Sequence, residues 1–190
     1  MRDLVIATVA VLLMAGPAAS EEMQALSAEG KALIQRFGGA LKSELAAAMA
    51  DGGPVDAISV CNVRAPEIAA AVSNDSDGWA IVRSSHKLRN PKNAPDAYTA
   101  QSIEAFLKRA ESGEPATDIV KAEILEEDGQ RVFRMVKAIP TGTVCLNCHG
   151  GDEVTPEVVA ALEELYPNDE ARGFKEGDIR GVFSLRKSLY

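Results

Sequence analysis

The pentapeptide Cys145-Leu146-Asn147-Cys148-His149 constrains this chain more than any other feature of its sequence. It has the C-x-x-C-H spacing of c-type haem attachment. That chemistry needs two thiols to reach the two vinyl groups of one porphyrin while the next residue turns its imidazole under the iron. The spacing fixes all three groups in little more than one helical turn. Other uses of two nearby thiols are weaker fits. A redox dithiol sits at a helix N-terminus after a strand in a βαβ unit, whereas this pair follows Thr141-Gly142-Thr143-Val144 and precedes Gly150-Gly151. A structural zinc site remains open, because Cys61, Cys145 and Cys148 with His86 or His149 would make a Cys3His set. Three cysteines are too few, and odd in number, for a disulfide scaffold.

A c-type haem implies export, and the N-terminus reads that way. MRDLVIATVAVLLMAGPAAS has a short charged start at Arg2, an apolar run from Leu4 to Ala15, a Gly16-Pro17 break and small residues up to Ser20. This is the layout of a cleaved signal peptide over residues 1–20. The apolar run is shorter than the roughly 20 residues that span a bilayer. No later stretch is apolar enough to cross one, so no stable membrane insertion is expected after cleavage. The chain carries a net charge of −8, and losing Arg2 and Asp3 leaves it unchanged. Nucleic acid is excluded as a partner, since phosphate binding needs a basic footprint.

Residues 21–190 read as a single domain, with no linker or repeat. Leu33, Phe37, Leu41, Leu45 and Met49 recur at four-residue steps in Ser27–Ala50, which predicts an amphipathic helix capped by Ser27. Gly52-Gly53-Pro54 stops it, a short helix from Val55 leads into Cys61, and Pro66 opens a third after a break at Ala65-Pro66. Trp79–Ser85 has strand composition, His86–Tyr98 is a loop, and Asp96 caps the next helix. Two further strands meet at Asp128-Gly129, a strong hairpin signal. The haem segment, a helix from Thr155 and a last strand, GDIRGVFSLRKSL, complete the chain. The expected class is α+β, with N-terminal helices packed on an antiparallel sheet.

With His149 on one side of an iron, the opposite ligand sets the chemistry: a methionine raises the potential and a thiolate lowers it. Cys61, His86, Met23, Met49 and Met135 are the candidates. Met49 and Met135 fall on apolar patterns that assign them to the core, Met23 lies in a terminal stretch, and His86 lies in a polar loop. Spacing alone does not choose among them. Arg83, Lys87, Arg89 and Asn90 cluster where the first strand meets its loop, and Arg83 and Arg89 are candidate partners for the haem propionates.

The segments AISVCNVRAPEIA, IVRSSHKLRNPKNAPD, FRMVKAI, CLNCHGG and LYPNDEARGFKEGDIRGVFSL, taken in order, resemble the bacterial periplasmic single-haem c-type domains with a PAS-like fold, long catalogued as of unknown function. The resemblance covers nearly all of residues 21–190. It implies a PAS-like sheet, one covalent haem, His149 as proximal ligand and Cys61 as distal ligand, with His86 standing where an apolar residue is expected. A thiolate bond weakens when iron is reduced. The resemblance therefore implies a haem-based redox or gas sensor in which Cys61 lets go on reduction, opening a position for a small gas, with a signalling or redox partner protein to relay the change. A soluble periplasmic electron carrier is the alternative. No acid, base or metal constellation beyond the haem motif suggests an enzyme.

Overall fold

The computed structural model describes residues 17–190. The expected signal peptide lies mostly outside the described residues, and its expected end at Ser20 falls in the first turn of helix α1 (Pro17–Ser59). Among the described residues no helix is long and apolar enough to cross a membrane.

The expected start at Ser27 is not a helix start, because α1 already runs from Pro17. The reason is packing. Met23 and Leu26 continue the stripe of Leu33, Ile34, Phe37 and Leu41 one step further, and both pack into the same core. The stop at Gly52-Gly53-Pro54 is real: Gly53 has φ 72° and ψ −163°, a conformation that L-residues avoid, and the chain reverses there. The second limb runs from Pro54 through Val60–Arg64 into α2 (Ala65–Asn74).

The predicted break at Ala65-Pro66 does not occur. Val60–Arg64 instead widens into a π-turn, in which the Ala65 N–H donates to the carbonyl of Val60. The wider turn accommodates Pro66, which lacks an N–H and would crowd the carbonyl four residues back in a regular helix. The two limbs lie antiparallel. Arg64 on the second pairs with Glu44 on the first at 2.9 Å, and Arg36 on the first pairs with Asp75 beyond the second at 3.1 Å.

Four strands, β1 (Trp79–Ser84), β2 (Val120–Glu127), β3 (Gln130–Pro140) and β4 (Ile179–Leu189), form one antiparallel sheet in the order β1-β4-β3-β2. The β2–β3 turn uses the predicted Asp128-Gly129, both at positive φ. The first limb of α1 covers one face. Phe37, Ile81, Phe133, Met135 and Leu185 are almost wholly buried there, and truncating a phenylalanine at such a site costs about 3–5 kcal/mol.

Helix α3 (Ala97–Glu111) covers the other face with Ile103 and Phe106 against Val136 and Val182. Asp96 caps it as expected, its Oδ1 accepting from the Thr99 N–H at 2.7 Å. Part of this face is polar: Arg134 is buried between Asp96 (2.5 Å) and Glu127 (2.9 Å). Helix α5 (Pro156–Leu165) packs Val158 and Leu162 against Ile58 of the second limb. These are helices against a four-stranded antiparallel sheet, the α+β class the sequence predicts and consistent with a PAS-like domain.

Candidate functional site

Thr143–Cys145 forms a 3-10 turn that runs into the short helix α4 (Leu146–His149). Two other segments hold this turn in place. Gly173 N–H donates to Gly150 O at 2.8 Å and Phe174 N–H to His149 O at 2.9 Å, while Glu170 N–H donates to Leu88 O at 2.8 Å. Arg89 ties all three together. Its guanidinium donates to Cys148 O at 2.7 Å and Ala171 O at 3.2 Å, and forms a buried ion pair with Asp169 at 2.9 Å.

His149 is fixed by the same strap. Its Nδ1 lies 2.7 Å from Ala171 O. A carbonyl can only accept, so Nδ1 carries the proton and Nε2 keeps its lone pair. Burial, then the nearby Arg180 and Arg89, hold the imidazolium pKa well below its ordinary value, so the ring is neutral. Phe174 stands edge-on to the ring at 6.2 Å between centroids and limits its tilt.

Cys145, Cys148 and His149 line one cleft together with Cys61, Met49, Arg83, Arg180 and Tyr166. It encloses about 1370 Å³ of space free of protein atoms, part of it open to solvent. The first limb of α1 supplies an apolar wall through Leu41 and Leu45, and the π-turn supplies Cys61.

Of the candidates for the position opposite His149, Cys61 and Met49 line the cleft. His86 is not among the residues that line it, and its ring packs on Phe174 at 5.8 Å. Met135 is buried in the core as expected, and Met23 packs against that core. The core assignment of Met49 is corrected, since none of the buried apolar clusters includes it.

The arginines divide. Arg89 lines the cleft, but its Nε and one Nη are taken by the strap. Arg83 makes no side-chain hydrogen bond or ion pair among the described residues and rests on the Phe37 ring at 5.8 Å. Arg180 was not anticipated. Pro140 faces Ile179 while Ile139 faces Gly181, so Arg180 is the extra residue of a bulge in β4. Strand alternation cannot assign such a residue to a face, and bulges re-aim side chains in this way. Arg180 Nη1 reaches Ser85 Oγ at 3.2 Å, and its Nε is buried with no partner. Burial and the like charges of Arg89 and Arg83 bring its pKa down to about 10.

Two guanidinium groups with no carboxylate partner among the described residues, in a partly enclosed cleft, call for an anionic guest. Two thiols and an imidazole on one short turn, with a third thiol on a separate helix, suit attachment of a broad flat group with one ligand on each side. They do not suit a single tetrahedral ion. Among the described residues no three His, Cys, Asp or Glu side chains lie close enough to hold a metal ion.

A family model described as Tll0287-like matches residues 12–188. The chain is also similar to a solved structure, the crystal structure of the cyanobacterial heme-protein Tll0287, with a TM-score of 0.61 and 25% sequence identity over 93% of this chain and 98% of that one. No curated protein matches.

Proposed function

This chain belongs to the Tll0287-like family, and we propose that it is an exported, periplasmic haem protein that acts as a redox or gas sensor. In this reading Cys145 and Cys148 hold one haem through thioether bonds, and His149 and Cys61 are its two iron ligands. The observation that carries it is that one cleft gathers these four residues with two arginines that, among the described residues, have no carboxylate partner. The haem protein Tll0287, similar over nearly the whole chain, supports the choice of cofactor.

Bound there, haem supplies a one-electron couple and, with one ligand lost, a site for a small gas. The residues have separate tasks. His149 presents Nε2 because Ala171 O holds its other nitrogen. Cys61 supplies a thiolate, which favours the oxidised iron and lowers the potential. Arg83 and Arg180 receive the propionates, the role first assigned to Arg83 and Arg89, while Arg89 fixes the strap behind the motif. Sensing is favoured over electron carriage because a thiolate ligand weakens when the iron is reduced, which couples the electron to a change of ligand.

The test is an absorption spectrum, oxidised and then reduced, of protein made through a haem-attachment export pathway, with a denatured sample beside it. A Soret band that stays with the denatured chain is expected, together with an oxidised spectrum that changes in Cys61→Ala. No Soret band, with zinc bound one to one instead, would overturn the haem assignment. Fast electron exchange with the same ligands in both oxidation states would make the protein a carrier.

A further inference from the structure

We infer that Met49 is a second ligand of the same site, taking the iron position that Cys61 leaves when the haem is reduced. This rests on the haem reading above and extends it from one distal ligand to two.

The helical hairpin carries the argument. Met49 lies on the first limb and Cys61 on the second, with the reversal at Gly53 between them. The Glu44–Arg64 ion pair marks which turns of the two limbs lie side by side. Cys61 is three residues from that rung toward the tip and Met49 is five, or about 4.5 and 7.5 Å along their limbs. The two sulfur-bearing residues therefore sit at nearly one height on adjacent helices, and both line the cleft that contains His149. Met49 is half-buried and packs into none of the apolar clusters, so a packing role leaves its position unexplained. Among the described residues, Met23 and Met135 both serve the core, and Met49 is the methionine in the cleft.

Sulfur chemistry gives the exchange its direction. A thiolate is an anionic donor matched to iron(III), whereas a neutral thioether raises the potential and favours iron(II). A one-electron donor protein supplies the electron. Cys61 Sγ leaves with the electron pair of its iron bond and takes up a proton from solvent, and Met49 Sδ donates a lone pair to form the new bond. Reoxidation reverses each step. The Gly53 reversal lets the limbs adjust without breaking either helix.

The experiment compares wild-type holoprotein with Met49→Leu, a swap of similar volume, and with Cys61→Ala, by oxidised and dithionite-reduced absorption spectra and by CO binding to the reduced form. The reduced wild type is expected to be six-coordinate and low-spin. Met49→Leu should keep the wild-type oxidised spectrum but become five-coordinate when reduced, and bind CO at least about tenfold more tightly because no internal ligand competes. Cys61→Ala should leave the reduced spectrum unchanged. Identical reduced spectra and CO affinities in wild type and Met49→Leu would overturn the inference while leaving the haem site standing. A missing Soret band in wild type would instead remove the reading beneath it.

Discussion

The Nδ1 of His149 lies 2.7 Å from the carbonyl oxygen of Ala171, and that same oxygen accepts from Arg89 at 3.2 Å. One backbone atom thus fixes both the tautomer of the motif histidine and the arginine that braces the motif. The brace depends on the Arg89–Asp169 pair, which is buried on both sides. Leaving either charge without its partner costs about 3–5 kcal/mol. Arg89→Met and Asp169→Ala should each lower stability by that amount in urea denaturation, whereas Arg89→Met/Asp169→Leu should lose less than the sum.

Gly181 brings β4 against the end of β1. A methyl group there would stand 2.4 Å from the carbonyl oxygen of Ser84, a backbone atom that cannot swing aside. Gly181→Ala is expected to cost about 1–3 kcal/mol, visible as a lower melting temperature. Gly39→Ala, with no atom near the added methyl, should be stabilised slightly or unchanged.

In the haem reading, Arg83 and Arg180 are predicted to act on the cofactor through charge. Replacing either by Gln removes a positive charge that favours the added electron, so the midpoint potential should fall by several tens of millivolts, where about 59 mV is one tenfold step for one electron. Arg83→Lys should restore most of the value. Unchanged potentials in both Gln variants would assign the propionates to other partners.

Asp96 gives the fold an acid limit. Burial raises its pKa, but the Thr99 hydrogen bonds and Arg134 outweigh that and the net shift is downward. A carboxyl with a depressed folded pKa stabilises above its unfolded value of about 3.9 and loses that contribution as pH falls through the folded value. Asp96→Asn should therefore destabilise the protein at pH 7 and make little difference well below pH 4, measured as urea midpoints against pH. An equal loss at both pH values would sink this account.

Regular patterns made much of the fold legible. The four-residue spacing from Leu33 to Leu45 marked the covering limb of α1, Asp96 the cap of α3 and Asp128-Gly129 the hairpin. The candidate site was legible only where its motif is contiguous, at Cys145, Cys148 and His149, which line one cleft. Cys61 needed a resemblance, because a cysteine in a π-turn has no sequence period of its own. Arg180 is aimed by a β-bulge, which breaks the period of two that a strand reading depends on. Met49 was misassigned for the opposite reason. It keeps the helical period, and periodicity cannot tell a stripe that ends in the core from one that runs past it into a cleft.

Strand β4 is synthesised after the other three, yet it lies between β1 and β3. Until it emerges, β1 has no strand beside it and the cleft has no floor, since Arg180, Gly181 and Phe183 all come from β4. The cysteines of the motif therefore leave the ribosome, and in the exported reading cross the membrane, on a chain that cannot yet shelter them. In the haem reading proposed above, an attachment machinery that acts before β4 pairs would meet an open pentapeptide and not a finished pocket.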